Sequence, residues 1–133
     1  MKLSNSYIGL PEEFYQSIDP SPVKDPSLLV FNNELANSLN INLGNEEILN
    51  YFSGNVVPKG SVPIALNYAG HQFGNFVHQL GDGRAVLLGE INNKEGNYDR
   101  QLKGSGQTMF SRQGDGRYAL RHVLREYMLM EAM

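Results

Sequence analysis

The tetrapeptide Gly-Asp-Gly-Arg occurs twice in the sequence, and its glycines and arginines are residue types that bind anions. The copies are Gly81–Arg84 and Gly114–Arg117, and the glycine-rich segment Gln101–Gln107, which contains Lys103, lies between them. Glycine allows the backbone to adopt positive φ and to approach a ligand closely, and consecutive N–H groups in such bends can form a concave anion site. Together with the basic side chains, this pattern predicts a binding site for a chain of phosphates.

The elements that must position these residues alternate between apolar strands and glycine-rich or polar turns, and they end in a helix. The predicted elements are strands over Phe76–Leu80 and Arg84–Ile91, a turn over Asn92–Asn97, a strand over Tyr98–Lys103, a loop over Gly104–Gly116 and a helix over Leu120–Met133. The first two strands flank Gly-Asp-Gly, a common hairpin turn, and are therefore expected to pair with each other around it.

A glycine turn, a strand lysine and a helix glutamate, in that order, form the layout of a protein-kinase N-lobe. In that lobe the glycine turn covers the nucleotide phosphates, the lysine donates to phosphate oxygens, and the glutamate pairs with the lysine. The candidates in this chain are Gly81–Arg84, Lys103 and Glu126. The pattern predicts an α+β fold with a small antiparallel sheet and a helix that carries Glu126.

The first sixty residues are expected to form an extension with short helices, and residues 61–133 a partial kinase-like N-lobe. The predictions for the extension are an extended arm over Met1–Ser27 with a helical turn near Glu12–Gln16, a helix over Leu28–Asn40, and a helix over Glu46–Phe52 with Asn45 as N-cap and Gly54 at its end. The apolar segment Val62–Tyr68 fits either a helix or a buried strand. The helix predicted at the end of the chain has no stop signal, which is expected of a piece of a longer protein.

The composition of the chain limits the kinds of molecule that it is expected to bind and the compartment in which it is expected to work. The chain has 133 residues and a formal net charge of −3, which argues against a general nucleic-acid or membrane-surface binder. It has no cysteine, which excludes disulfides and thiolate metal sites. Met1–Leu10 has no apolar leader and no apolar run is long enough to span a membrane, so a cytoplasmic protein is expected.

Each of these motifs also has a purely structural interpretation. An isolated Gly-Asp-Gly is usually only a turn. Arg117, Arg121 and Arg125 recur at helical spacing and would form a solvated face of the last helix. His71 has no partner at metal-ligand spacing, and the Gly-Lys-Ser/Thr of a P-loop is absent.

A longer set of motifs resembles the selenoprotein O (YdiU) family. The motifs are Tyr68–Gly74 (Tyr-Ala-Gly-His-Gln-Phe-Gly), Gln79–Ala85, Gln101–Thr108, Ser111-Arg112, Gly114–Arg117, Arg125–Tyr127 and Glu131–Met133. They are ordered and spaced as in that family, and they cover the whole chain, which corresponds to roughly the first quarter or third of a member.

The resemblance implies a pseudokinase-like fold that binds ATP in a flipped orientation and, with Mg²⁺, transfers AMP to Ser, Thr or Tyr hydroxyls of protein substrates. By matching position it implies that Gly81, Gly83 and Arg84 form the nucleotide-binding turn. It also implies that Lys103 contacts phosphate with Glu126 as its partner, and that Asp115 and Gly116 touch the nucleotide. The catalytic base, the metal ligands and further phosphate-binding arginines of the family lie beyond Met133, so no catalytic or metal residue is expected within this chain.

Two departures and two rival functions accompany this resemblance. Met109 and Gln113 stand where the family is expected to have proline and a small residue. Because the base and metal ligands are missing, these residues alone are expected to have no adenylylating activity and poor ATP affinity. The first rival is a nucleotide- or phosphate-binding module without chemistry. The second is a single-stranded nucleic-acid binder that uses the basic stretch Arg100–Arg125 with its interleaved aromatic residues, namely Tyr98, Phe110, Tyr118 and Tyr127.

Overall fold

The computed structural model describes residues 3–94 and 96–133, which form a mixed α/β fold with a small antiparallel sheet. Its elements in chain order are β1 (Tyr15–Ser17), α1 (Asn33–Ser38), α2 (Asn45–Ser53), β2 (Ile64–Leu66), β3 (Gly70–Gln72), β4 (Asn75–Val77), β5 (Ala85–Asn93), β6 (Gly96–Lys103) and α3 (Leu120–Ala132). Within the described residues, no helix combines the length and the apolar character that crossing a membrane requires.

The main sheet has the strand order β1-β2-β5-β6, and every neighbouring pair is antiparallel. The long strands β5 and β6 form its most extensive pair, with β6 at the edge, and their inward side chains Val86, Leu88 and Leu102 make a core cluster against which Ile18 packs. Strand side chains alternate between the two faces, so the residues beside Leu102, namely Gln101 and Lys103, lie on the opposite face. The predicted strand that ends at Lys103 is confirmed.

The expected hairpin around the first Gly-Asp-Gly is wrong. The strand before it, β4, pairs with β3 in a separate two-stranded sheet, whereas β5 after it pairs with β2 and β6. The turn of the small hairpin is Phe73-Gly74, and both residues have positive φ (53° and 78°), as a tight two-residue turn requires. Gly81–Gly83 is therefore the connection between the two sheets.

Both predicted helices of the extension are present with different starts. Helix α1 begins at Asn33, because the side chain of Asn32 accepts the N–H of Leu35 at 2.8 Å and caps it there. Helix α2 takes Gly44 as its N-cap rather than Asn45, and the Gly44 N–H donates to the Glu47 carboxylate at 2.9 Å. It ends at Gly54 in the left-handed region, as predicted.

The arm, the segment Val62–Tyr68 and the two predicted loops were also open to comparison with the structure. The arm contains a 3₁₀ turn over Glu12–Phe14, which matches the expected helical turn, and then continues as strand β1 on β2. Val62–Tyr68 contains a strand, β2, and no helix. The predicted polar turn Asn92–Asn97 is shorter in the structure, because Asn92 pairs with Asn97 and Asn93 with Gly96 at the end of β5 and β6. Glu95 lies outside the described residues. Residues 104–116 contain no helix or strand, as expected for a loop.

Candidate functional site

A cleft of about 450 Å³ lies at one end of the main sheet, where the glycine-rich loops meet β5 and β6. It is lined by every predicted site residue except the helix glutamate: Gly81, Gly83, Arg84, Lys103, Asp115 and Gly116. The two Gly-Asp-Gly-Arg copies, which are far apart in sequence, therefore face one cavity. Glu126 lies outside the lining and reaches the cleft through Lys103.

Strand pairing brings the two principal cations of the cleft together. Ala85 at the start of β5 pairs with Lys103 at the end of β6, and the Gly104 N–H donates to the Arg84 carbonyl at 2.6 Å. Arg84 and Lys103 thus extend from adjacent strand ends, and both line the cleft. Two neighbouring cations repel each other, so this end of the sheet favours a ligand that carries negative charge.

The predicted pairing of Lys103 with Glu126 is present, because the Lys103 ammonium contacts Oε1 of Glu126. The other carboxylate oxygen, Oε2, accepts the Tyr118 hydroxyl at 2.7 Å. The hydrogen bond from Lys103, and then that from Tyr118, lower the pKa of Glu126 below its ordinary value. Glu126 therefore holds Lys103 at the cleft as a carboxylate.

The N–H groups of the first glycine turn do not form the expected anion site. The Leu80 and Gly81 N–H groups donate to the Tyr68 carbonyl at 2.8 and 3.1 Å, and the Asp82 N–H donates to the Leu66 carbonyl at 2.8 Å. The Gly83 N–H donates to the Gly81 carbonyl at 3.1 Å. Because these four donors are already used within the protein, they are not free to bind an anion, and the prediction is wrong for the N–H groups of residues 80–83.

Both glycines of this turn are required by close contact with the loop that contains Phe110. A Cβ on Gly81, which has φ +59°, would lie 2.6 Å from Cγ of Phe110, and a Cβ on Gly83 would lie 2.8 Å from the Phe110 carbonyl oxygen. The same loop is fixed to the turn by the Ser111 hydroxyl, which donates to the Gly83 carbonyl at 2.5 Å. The floor of the cleft is thus two loops packed against each other.

Asp82, in the centre of the first motif, is a site residue that the sequence patterns did not single out. Its carboxylate is buried and accepts the Leu66 N–H at 3.1 Å, the Tyr68 hydroxyl at 3.1 Å and the Gln101 amide at 3.2 Å. Burial raises the pKa of Asp82 above its ordinary value, although the three donors and the charge of Lys103 act in the opposite direction. Asp82 therefore connects the glycine turn to β2 and β6.

The second Gly-Asp-Gly-Arg copy has a different local geometry. The Arg117 N–H donates to Oδ1 of Asp115 at 2.8 Å, whereas the N–H groups of Asp115 and Gly116 have no acceptor among the described residues. These two N–H groups are therefore available to a ligand in the cleft. A Cβ on Gly116 would overlap the Gly106 carbonyl group, so only glycine fits against the neighbouring loop.

The predicted arginine stripe on the last helix is wrong at its first member. Helix α3 begins at Leu120, so Arg117 lies in the preceding loop. Its guanidinium donates to the carbonyls of Ser21 and Pro22 at 3.3 Å and of Gly104 at 3.5 Å. Arg117 therefore joins the N-terminal arm to the edge of the cleft.

The small β3–β4 hairpin lies beside the cleft, and the sequence patterns assigned it no contact there. Gln72 lines the cavity and accepts the Arg112 guanidinium at 3.1 Å, while Phe73 at the tip is 94% exposed. Arg112 adds a further basic side chain to the lining and has left-handed backbone, with φ 55°. The signal in the sequence was Ser111-Arg112 beside the second motif, but only the fold shows what it contacts.

The carboxylates beside the cleft do not make a metal centre. Among residues 3–94 and 96–133, no group of three or more histidines, cysteines, aspartates or glutamates is arranged to hold a metal ion. Asp82 accepts from three donors of the protein, and Oδ1 of Asp115 accepts the Arg117 N–H.

Comparisons with known proteins give matches that cover the whole chain or nearly all of it. The family model described as "Protein adenylyltransferase SelO" matches residues 1–133. Proteins named "Protein nucleotidyltransferase YdiU" from Maridesulfovibrio salexigens and Agrobacterium fabrum are each 56% identical to all of this chain, and one from Rhizobium etli is 53% identical over 97% of it. The chain spans 28%, 28% and 26% of the length of these three relatives.

Proposed function

Because the chain belongs to the SelO family, we propose that it forms the nucleotide-binding part of a protein adenylyltransferase, which moves AMP from ATP to Ser, Thr or Tyr hydroxyls of protein substrates. One observation carries the proposal: both Gly-Asp-Gly-Arg copies, Arg84 and Lys103 line the same cleft. A polyphosphate needs several cations and N–H donors to replace its hydration, and this cleft offers both.

The roles proposed for single residues follow from their contacts. Arg84 and Lys103 bind phosphate oxygens, and Glu126 orients Lys103. Asp115 and Gly116 donate their N–H groups, while Gly81 and Gly83 allow the Phe110 loop to pack against the turn and form the floor on which the nucleotide lies. The small antiparallel sheet, the lysine at the end of β6 and the glutamate on α3 support a kinase-like N-lobe.

The proposed reaction transfers an adenylyl group. The acceptor oxygen forms a bond to the α-phosphorus, the bond to the departing pyrophosphate breaks, and the hydroxyl proton passes to a base. We assign that base and the Mg²⁺ ligands to parts of the whole protein outside this chain, because the carboxylates beside this cleft are engaged within the protein. The chain's own residues would hold and orient the nucleotide.

Binding of ATP with magnesium to the chain, measured by calorimetric titration, tests the nucleotide site. We expect Lys103→Ala to weaken binding roughly 10- to 100-fold, because one charge-assisted hydrogen bond is worth about 1.5–3 kcal/mol. Lys94→Ala is the matched control, since it removes the same charge at the opposite end of the β5–β6 hairpin. Equal weakening by both variants would contradict a site formed by these residues, and no binding to a folded chain would mean that the site needs the rest of the whole protein.

Label transfer by the whole protein tests the reaction. ATP labelled at the α-phosphate should label a protein acceptor, whereas ATP labelled at the γ-phosphate should not, because pyrophosphate departs. The chain alone is expected to give background. Transfer of the γ-label would indicate a kinase, and ATP binding without transfer by the whole protein would support a module that binds nucleotide without chemistry.

A further inference from the structure

The ring of Tyr118 lies among the charged groups at the edge of the cleft. The Arg84 guanidinium carbon is 4.0 Å from the ring centroid, and the Lys103 ammonium is 5.8 Å from it. The Tyr118 hydroxyl donates to Glu126 at 2.7 Å, and Glu126 contacts Lys103 through its other oxygen. One side chain thus contacts one cation directly and reaches the second through a shared carboxylate.

The position of Tyr118 is fixed by the backbone at the end of β6. Gly104 directly follows Lys103 and has φ +85°, and a Cβ on it would lie 2.7 Å from Cβ and 3.0 Å from the backbone nitrogen of Tyr118. Only glycine permits this approach. The ring is therefore held at a set distance from the end of the strand that carries Lys103.

We propose that Tyr118 is a positioning residue that holds Arg84 and Lys103 at the cleft. Aromatic rings attract cations over their faces, and the guanidinium of arginine stacks on them particularly well. Without the ring, Arg84 loses the surface that sets its rotamer. Without the hydroxyl, Glu126 loses one of its two partners and constrains Lys103 less. The inference rests on the proposed function only in naming phosphate as the ligand of the two cations.

The alternative is that Tyr118 only fills space at the start of α3, where the His122 ring stacks on it with centroids 5.9 Å apart. Two variants separate these roles. Tyr118→Phe keeps the ring and removes the hydroxyl, whereas Tyr118→Leu removes both. Tyr98→Phe and Tyr98→Leu, on the exposed part of β6, are the matched controls.

The first measurement needs no nucleotide and uses NMR of the chain. The Arg84 side-chain Nε–H signal should show a ring-current shift that Tyr118→Phe retains and Tyr118→Leu abolishes. The pKa of Glu126, followed by its carboxyl carbon, should rise in Tyr118→Phe, because the hydroxyl donor is lost. An Arg84 signal unchanged in Tyr118→Leu, or a Glu126 pKa unchanged in Tyr118→Phe, would overturn the proposal. If Tyr118→Leu does not fold, the Tyr118→Phe titration still decides the hydroxyl's role.

The second measurement is ATP affinity. Tyr118→Leu should weaken binding about tenfold, as expected for loss of a partly desolvated cation–π contact. Tyr118→Leu should weaken binding less in an Arg84→Ala background than in the wild-type chain, because the ring then has no Arg84 left to position. Fully additive losses would overturn the proposal. A wild-type chain that shows the NMR signatures but binds no ATP would count against a nucleotide site formed by this chain alone while leaving the positioning role supported.

Discussion

Asp82 and Asp115 occupy the same place in two identical tetrapeptides and have different surroundings. Asp82 is 5% exposed and accepts three hydrogen bonds, whereas Asp115 is exposed and accepts the N–H of Arg117, two residues further on. The motif itself contains no information that separates the two. The difference arises because the first copy lies between two sheets and the second lies in a loop.

Tyr68, which donates to Asp82, shows how burial affects this part of the cleft. Its own burial, followed by the nearby charge of Asp82, raises the pKa of Tyr68 to about 12. The phenol therefore stays protonated and remains a donor throughout the physiological range. The hydrogen-bonded pair of the partly exposed Tyr68 and the buried Asp82 supports the glycine turn.

The contribution of Glu126 to stability should depend on pH. Its pKa is lowered in the folded chain, so its stabilisation is present above the ordinary value of 4.5 and is lost as pH falls through the lowered pKa. Glu126→Gln should lower the free energy of unfolding by about 1 kcal/mol or less at neutral pH, because Lys103 is partly exposed and its ion pair is screened. Urea denaturation at a series of pH values measures this.

Glu12→Gln, at an exposed position of the arm, is the control for loss of a carboxylate. The difference between wild type and Glu126→Gln should shrink below pH 4.5. A difference that stays constant from neutral pH to acid would show that the carboxylate's charge is not what stabilises this contact.

At the scale of elements, the glycine turn and the Phe110 loop form one packed unit. The φ of Gly83 is not in the left-handed region, so a larger residue is excluded by the Phe110 carbonyl oxygen, which would lie 2.8 Å from an added Cβ. Gly83→Ala should therefore destabilise the chain by about 1–3 kcal/mol through overpacking. It should also weaken ATP binding, because the loop must move.

Gly9→Ala is the matched control, since nothing lies within 4 Å of its Cβ position. Chemical denaturation of both variants, with ATP titration of each, measures the two effects. Gly83→Ala with the stability of Gly9→Ala would mean that the two loops are not held together as the structure shows.

The sequence predicted elements whose local signals agree with their tertiary contacts. The strand ending at Lys103 and the stop of α2 at Gly54 were foreseen because period-two alternation and a C-terminal glycine are local signals. The partner of β4 was not, because strand pairing depends on distant residues and Gly-Asp-Gly connects elements as readily as it turns a hairpin. The late start of α1 has a similar reason, since Leu28, Leu29 and Val30 are exposed and bury no helical face.

For the site, the sequence identified residues that carry charge or glycine and missed those that hold them. Lys103 and Glu126 were predicted to pair, and they do. Asp82 contacts Gln101 and Tyr118 contacts Arg84, both from other elements of the chain, so no spacing rule could reveal these contacts. The anion site expected at the first turn failed because the carbonyls of Leu66 and Tyr68 accept its N–H groups.

At the scale of the whole molecule, positive charge is concentrated at the cleft, although the chain as a whole is negative. The chain has a net charge of −3, yet the cleft is lined by Arg84, Lys103, Arg112 and Arg117. A small anion can enter this basic cleft, whereas a long polyanion would also meet the acidic remainder of the surface. This distribution favours a nucleotide over a nucleic-acid strand.

The aromatic residues give a second reason to expect no binding of single-stranded nucleic acid. Bases stack on exposed rings along a basic groove, but Phe110 is 7% exposed and the face of Tyr118 contacts Arg84. We expect a fluorescent oligonucleotide to bind the chain more weakly than about 100 µM at physiological salt, the weak limit of non-specific binding. Polarisation measured from low to high salt checks this, and tight binding that falls steeply with salt and is lost in Tyr98→Ala would instead support the nucleic-acid function.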